Sequence, residues 1–232
     1  MGWYLEFSGE PAVESLQHHY VAYRAFVRAK VSCIQAAQGS ATAAAGAAAY
    51  AQLALRHLRA GEVTLLLVGG APGTGKTTLS CGIACSRGWV VLSSDEIRNQ
   101  IFDAGGDRYS PGAKLAVYTE LLARARRAVE RGVSVVADAT WGDTVVRGLA
   151  AEVAVATSSR LVEMECHAPL EVSAARAQRR LATRKDGSEA DARIARQLAA
   201  TRERWPSAIA VDTAVTPRTS LEQALMALEH AT

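Results

Sequence analysis

The stretch VTLLLVGGAPGTGKTT, residues 63–78, decides the fold of this chain. Its apolar half has the composition of a fully buried strand, and its glycine-rich half matches G-x-x-x-x-G-K-[ST] at residues 70–77. Glycines allow backbone N–H groups to curl around phosphate oxygens, and the N-terminus of the following helix adds partial positive charge. Because the motif stands between a strand and a helix, as its chemistry requires, it predicts a nucleotide-binding loop in an α/β fold.

Residues of this loop have separate predicted roles. The Lys76 ammonium group is expected to reach the β- and γ-phosphates, and the Thr77 hydroxyl is expected to bind Mg²⁺. ATP and Mg²⁺ are therefore the expected cofactors. The alternative is a glycine-rich turn without a ligand, which the complete motif and its context disfavour. The predicted nucleotide-binding residues are Gly70, Pro72, Gly73, Thr74, Gly75, Lys76, Thr77 and Thr78.

Strands and helices alternate after residue 62. Short apolar runs predict strands, each followed by a helical pattern, and five strands separated by helices form a parallel sheet covered on both faces. The predicted fold is therefore an α/β three-layer sandwich of the P-loop NTPase type. The predicted strands are VTLLLV (63–68), WVVL (89–92), VSVVA (133–137), RLVEMEC (160–166) and AIAVD (208–212).

Residues 1–60 differ from the rest of the chain, because their apolar residues recur with helical periodicity and no strand pattern is present. Apolar side chains recur at spacings of three and four in a first helix, and an alanine-rich second helix ends near Gly61. Two such helices bury little surface alone, so we expect them to pack on the following domain. The predicted domains are a helical appendage over 1–60 and a P-loop domain over 61–232. The apolar stripe consists of Leu16, Tyr20, Tyr23, Val27, Val31 and Ile34.

Composition narrows the class of protein. The 232 residues are 49% hydrophobic and 21% charged, typical of a globular chain, and the formal net charge of +3 does not by itself indicate a nucleic-acid partner. Four scattered cysteines form no CxxC pair, which disfavours a zinc site or a disulfide framework and favours the cytoplasm. Residues 1–10 lack a basic signal-peptide start, and polar residues interrupt the alanine-rich run at 41–55, so no membrane span is expected.

The end of the third predicted strand, VVADATW at residues 135–141, separates kinases from motor ATPases. Motor ATPases place a glutamate after the strand's aspartate to orient the attacking water, whereas Ala139 follows Asp138 here. We expect Asp138 to hold Mg²⁺ or a water bound to it. The alternative is an Asx-type cap on the loop into the next helix.

The segment SSDEIRNQ, residues 93–100, follows the second predicted strand and so belongs at the same sheet edge as the phosphate loop. A kinase needs a carboxylate that accepts the proton of the substrate hydroxyl, and Asp95 is the candidate general base. Arg98, one helical turn on, is expected to contact an anionic substrate or to steady Asp95. The alternative is a serine N-cap followed by acids that stabilise the first turn of a helix.

Three arginines, Arg176, Arg180 and Arg184, recur at four-residue spacing on one predicted helix. Like charges on one stripe repel, so this pattern favours an anionic ligand. We expect a lid near 176–191 whose arginines close over phosphates and exclude water. The alternative is a solvated basic helix face.

Together these motifs resemble the P-loop kinases with AAA-like ATP-binding domains, a group related to 5′-polynucleotide kinase, gluconate kinase, chloramphenicol phosphotransferase and zeta toxin. The resemblance covers roughly residues 62–230 and implies an adenylate-kinase-like strand order 2-3-1-4-5. It also implies that Asp95 and Arg98, as a D-x-x-R motif, are the general base and a substrate contact. Arg180 and Arg184 fit the R-L-x-x-R of the lid. The segments that carry it are GGAPGTGKTT, SSDEIR, VVADATW, RLATR and WPSAIAVDT.

Residues 1–60 resemble something else, the C-terminal tail of aminoglycoside-phosphotransferase-like domains. The similar segments are LEFSGEP (5–11) and SLQHHYVAYRAFVRAKVSCIQAAQG (15–39). The catalytic H-x-D-x-x-x-x-N loop of those domains and their metal aspartate are missing here, so no aminoglycoside kinase activity is expected.

The combined expectation is an ATP-dependent phosphotransferase acting on a hydroxyl of a small molecule. Two alternatives stay open: a 5′-hydroxyl polynucleotide kinase, which the 6% aromatic content disfavours, and an ATP-binding switch or ATPase module. The sequence carries no signal for the identity of the acceptor or for an oligomeric state. The predicted catalytic residues are Lys76, Asp95, Arg98, Arg180 and Arg184, and the predicted metal ligands are Thr77 and Asp138.

Overall fold

A five-stranded sheet organises the larger part of the chain. The computed structural model describes residues 13–102, 108–183 and 203–230. The strands are β1 (Thr64–Gly70), β2 (Val90–Ser93), β3 (Val135–Asp138), β4 (Arg160–His167) and β5 (Ile209–Asp212). The helices are α1 (Glu14–Ala37), α2 (Ala43–Ala60), α3 (Lys76–Arg87), α4 (Ser94–Ile101), α5 (Pro111–Glu130), α6 (Thr144–Ala156), α7 (Leu170–Thr183) and α8 (Pro217–His230).

The strands lie in the order β2-β3-β1-β4-β5, and every pair is parallel. This confirms the predicted P-loop sandwich and the strand order that the resemblance implied. In a parallel sheet all carboxyl ends meet at one edge, where ligands of such folds bind. The phosphate loop follows β1, Asp95 follows β2 and Asp138 ends β3, so the topology brings these three features to one edge.

Strand β1 is buried along its whole length, which shows that both faces of the sheet are covered at its centre. Alternation along β1 places Leu66 and Val68 in a cluster with side chains of α3 and α8, among them Ile83 and Leu228. Leu65 and Leu67 are equally buried on the alternate positions of the strand, and α5 packs against β1, β2 and β3. The central position of β1 therefore holds the phosphate loop on a rigid base.

The chain divides into two compact units, one of Met1–Val63 with Arg131–Val133 and one of Thr64–Glu130 with Ser134–Thr232. In the first unit α1 and α2 pack on each other through small side chains: Ala22, Ala25, Ala29, Ala43 and Ala54 are buried. Alanines let two helices approach closely, so they form the seam. The larger apolar stripe of α1 is instead exposed, from 36% at Val27 to 62% at Tyr23. In the described parts of the chain no helix is long and apolar enough to cross a membrane.

Candidate active site

The phosphate loop has the backbone that its glycines permit. Gly73 has a φ of 84°, in the left-handed region, and a Cβ at this position would lie 2.1 Å from the carbonyl oxygen of Ser173. Gly70 has a φ of 145°, and its Cβ would lie 2.6 Å from Oγ1 of Thr74. Real Cβ atoms do not approach other atoms so closely, so only glycine fits these positions without a shift of the backbone. The described loop thus has the tight curve that a phosphate cradle requires.

Hydrogen bonds within the loop hold it in this curve. The Thr74 hydroxyl donates to the carbonyl oxygen of Ala71 at 2.8 Å, and the Lys76 ammonium donates to the same oxygen at 3.1 Å. Lys76 is the first residue of α3, and its side chain therefore folds back over the loop. Pro72 lies in the same turn, between Ala71 and Gly73. The lysine ammonium therefore lies against the loop that the motif predicts to bind phosphates.

Two predicted metal ligands lie in contact. Thr77 Oγ1 donates to Asp138 Oδ2 at 2.7 Å, and Asp138 is 4% exposed. The contact arises because β3 pairs with β1, which aligns Asp138 with Val68 just before the phosphate loop. Hydroxyl and carboxylate oxygens suit Mg²⁺. Within the described ranges no cluster of three or more His, Cys, Asp or Glu could hold a metal.

A cleft of about 270 Å³ adjoins the phosphate loop. Its walls come from the loop itself, from α3, from α7 and from the segment after β5. Arg176 Nη1 donates to the carbonyl oxygen of Thr213 at 2.9 Å, which ties α7 to that segment. Thr213, Val215 and Pro217 were not predicted as site residues, because a turn after a short strand has no motif of its own. Lining residues include Gly73, Gly75, Thr78, Arg176, Val215 and Pro217.

The Asp95–Arg98 pair lies at the start of α4. Arg98 Nη1 donates to Asp95 Oδ1 at 2.7 Å, with the Asp95 side chain 77% exposed and the Arg98 side chain 14% exposed. The guanidinium of Arg98 also lies over the ring of Tyr109, 5.1 Å from its centroid. The N-cap residue Ser93 makes no side-chain capping hydrogen bond, whereas Asp95 and Glu96 do lie in the first turn of the helix, as the alternative interpretation expects. The segment thus presents an accessible carboxylate bonded to a half-buried arginine.

A buried network that the motifs did not reveal shapes the loop after Asp138. Trp141 has a φ of 49°, unusual for a residue with a side chain, and is fully buried. Its indole Nε1 donates to the carbonyl oxygen of Ala137 at 3.0 Å, and its backbone N–H donates to the Tyr118 hydroxyl at 3.1 Å. Tyr118 Oη also lies 2.9 Å from Oγ1 of Thr140. Burial raises the pKa of Tyr118, so the phenol stays protonated and keeps these hydrogen bonds.

Replacing Tyr118 by phenylalanine should lower the free energy of unfolding by about 1–3 kcal/mol, because the buried Trp141 N–H loses its acceptor. Urea unfolding of the variant and of wild type measures this difference. The control is Tyr109→Phe, at a ring that is 46% exposed, where little change is expected. An equal loss of unfolding free energy in both variants would show that the buried Tyr118 hydroxyl contributes no more to stability than an exposed one.

A second buried group joins the described segment 203–205 to the sheet. The ring of Trp205 leaves no room at Gly69, where a Cβ would lie 2.3 Å from it. Arg147 is buried, lies over the Trp205 ring at 5.3 Å and donates to the carbonyl oxygens of Trp141 and Arg204 at 2.7 and 3.0 Å. This packing supports the residue directly before the phosphate loop. Gly69, Arg147 and Trp205 are far apart in the sequence, so no short motif predicts this packing.

The predicted lid is described only at its beginning. Arg180 lies on α7, but its side chain is outside the described part of the structure, and Arg184 and the rest of 184–202 are also outside the described residues. The structure therefore leaves the predicted roles of Arg180 and Arg184 as predictions. Of the three arginines in the stripe, Arg176 is the one whose side-chain contacts are described.

The all-parallel 2-3-1-4-5 sheet, with a phosphate loop after its central strand, is the fold of P-loop kinases. Residues 65–205 match the AAA_33 family, described as "AAA domain", and the chain belongs to that family. Uncharacterized protein Rv2004c of Mycobacterium tuberculosis (strain ATCC 25618 / H37Rv) is 41% identical over 228 residues. The match covers 94% of this chain but 45% of the relative, so the chain spans less than half the length of the curated relatives it matches.

Solved structures share the fold. A sugar kinase from Janibacter sp. HTCC2649 superposes with a TM-score of 0.57 at 20% identity, covering 73% of this chain and 96% of that one. The Mycobacterium tuberculosis APS kinase CysC, solved in complex with AMPPNP and APS, has a TM-score of 0.57 at 19% identity and covers 72% and 98%. Likeness at these identities establishes the fold, and the reaction has to be argued from the site.

Proposed function

We propose that the protein transfers the γ-phosphoryl group of Mg·ATP to a hydroxyl of a small molecule, with Asp95 as the general base. The observation that carries this proposal is the accessible Asp95 carboxylate, held by Arg98 at 2.7 Å, at the sheet edge that also bears the phosphate loop. That some solved structures of this fold are a sugar kinase and an APS kinase is consistent with the proposal.

The nucleotide side of the site consists of the loop and the adjoining cleft. Backbone N–H groups of residues 70–77 and the N-terminus of α3 bind the phosphates, with Lys76 toward the transferred group. The nucleoside lies in the cleft between Arg176 and the segment around Val215, beside Thr78. The γ-phosphate would then lie at the sheet edge where α4 also begins.

Thr77 and Asp138 are the proposed holders of Mg²⁺, which, when bound, neutralises charge on the β- and γ-phosphate oxygens. Asp138 keeps the Thr77 hydroxyl oriented through their 2.7 Å hydrogen bond. The buried Tyr118–Trp141 contact fixes the loop that follows, so Asp138 has little freedom to move away. The residue after Asp138 is Ala139, which has no carboxylate to orient a hydrolytic water. The lack of a carboxylate at position 139 supports transfer to an acceptor rather than hydrolysis.

Thr77→Val removes the hydroxyl while keeping the branched shape, and it should lower turnover at limiting Mg²⁺ at least about tenfold, with partial recovery at high Mg²⁺. The measurement is ADP release as a function of Mg²⁺ concentration. Thr157→Val is a suitable control, because Thr157 bonds its own helix at the opposite edge of the sheet. An unchanged Mg²⁺ dependence in Thr77→Val would argue against this metal assignment.

The proposal as a whole is tested by comparing ADP release with and without a panel of hydroxyl compounds. A phosphotransferase releases ADP faster when a suitable acceptor is present. An ATPase or nucleotide-controlled switch releases ADP at one rate regardless of the panel, and that result would reject the proposal. Binding of AMPPNP, measured as a rise in melting temperature, tests the nucleotide site separately.

A further inference from the structure

Two guanidinium groups on the acceptor side of the site have unused hydrogen-bonding capacity. The Nε–H of Arg98 and the Nε–H of Arg108 are each buried, and neither has a hydrogen-bond partner. A buried N–H of a cation without an acceptor is costly, typically about 1–3 kcal/mol or more for charged groups. In the described ranges only two other buried side-chain polar atoms share this condition, Ser80 Oγ and Trp205 Nε1. Two of these four atoms therefore belong to the neighbouring arginines Arg98 and Arg108.

Other contacts fix both guanidinium groups in position. Arg98 uses Nη1 for Asp95 and stacks on the Tyr109 ring, and its Nε–H has no partner. Arg108 Nη2 donates to the side-chain oxygen of Asn99, the residue next to Arg98. An arginine held in this way loses little entropy when it binds an oxyanion, and its fork matches two oxygens of a carboxylate, phosphate or sulfate.

The partners that the structure describes for these two arginines differ in charge. Among the described residues Asp95 is the carboxylate that bonds either arginine, and the partner of Arg108 is the neutral amide of Asn99. The nearby Lys114 is already paired with Asp143 at 3.3 Å. The Arg98 side chain is 14% exposed, so its positive charge is partly withdrawn from water. Partly desolvated positive charge favours an anionic ligand.

We propose that the acceptor is an anionic hydroxyl compound whose carboxylate, phosphate or sulfate group binds Arg98 and Arg108. This inference rests on the proposed phosphotransferase function and names the substrate class of the same site. Because Arg98 touches Asp95, the anionic group lies close to the hydroxyl that Asp95 deprotonates. Neutral sugars and neutral alcohols lack the group that satisfies the two Nε–H donors, and they are therefore poor acceptors.

Sulfate is a probe that needs no knowledge of the substrate. With Mg·ADP saturating the phosphate loop, sulfate should bind wild type and raise its melting temperature, and Arg108→Gln should weaken that binding at least about tenfold. Arg126→Gln is the matched control, because Arg126 is a half-exposed arginine of α5 bonded to Glu130. Equal sulfate affinity in Arg108→Gln and Arg126→Gln would overturn the inference. If Arg108→Gln unfolds, Arg108→Lys retains the charge without the fork and should bind sulfate more weakly than wild type.

Paired acceptors separate this inference from the proposed function. Glycerate is compared with glycerol, and gluconate with glucose, by ADP release. Turnover with an acid but not with its neutral partner supports an anionic acceptor, while equal turnover with both overturns it and leaves the kinase proposal standing. Absence of AMPPNP binding would instead reject the proposed function, and the sulfate comparison would still decide whether Arg108 binds an anion.

Discussion

Replacing Asp95 by asparagine is expected to lower acceptor-dependent turnover by about 10²–10⁴-fold, the usual range for loss of a general base. The asparagine amide still accepts a hydrogen bond from Arg98 but cannot take the proton of the acceptor hydroxyl. Because Asp95 lies after β2 and not in the phosphate loop, the affinity for AMPPNP should stay within about twofold of wild type. Steady-state ADP release and calorimetric titration of AMPPNP measure the two effects.

The neighbouring acid provides a control for charge alone. Glu96 lies one residue on in the first turn of α4, is exposed and has the same effect on the helix N-terminus. Glu96→Gln should therefore leave turnover nearly unchanged. If Asp95→Asn and Glu96→Gln lose activity equally, or if Asp95→Asn keeps full acceptor-dependent turnover, then Asp95 is not the base.

Replacing Gly73 by alanine should abolish measurable nucleotide binding at concentrations that saturate wild type. The added Cβ would lie 2.1 Å from the carbonyl oxygen of Ser173, so the loop or the start of α7 must shift. The φ of 84° adds strain for any residue with a side chain. Together the overpacking and the strain cost about 2–5 kcal/mol, enough to displace the phosphate cradle. Titration with AMPPNP and thermal unfolding report the two consequences.

Gly88→Ala tests the effect of backbone strain at a positive φ without a steric clash of the added Cβ. Gly88 ends α3 with a φ of 67°, and nothing lies within 4 Å of its Cβ position. This variant should lose only about 1 kcal/mol of stability and should bind AMPPNP like wild type. Normal AMPPNP binding by Gly73→Ala would contradict the described loop geometry.

Local motifs accounted for much of the fold and for part of the site. The phosphate loop, the five strands and the position of Asp138 at the end of β3 follow from short runs of residues, because burial and backbone curvature are encoded there. The prediction for α1 was less successful in detail. Its helix is present, yet the buried seam consists of alanines such as Ala25, and the larger apolar side chains, such as Tyr23, are exposed.

The remaining features depend on contacts between residues far apart in sequence. The support of Gly69 by Trp205 and the bond from Arg176 to Thr213 join segments that no spacing rule connects. The positive φ of Trp141 likewise depends on acceptors and donors from Ala137, Tyr118 and Arg147. These long-range contacts can be recognised only once the order of the strands in the sheet is known.

Transfer of a labelled phosphoryl group tests the proposed function most directly. The protein is incubated with ATP labelled in the γ-phosphate and with a metabolite extract, and the products are separated by mass spectrometry. We expect the label in an organic phosphate ester, with no such product from Lys76→Ala or Asp95→Asn. Label found in inorganic phosphate alone, released at the same rate with and without extract, would contradict a phosphotransferase.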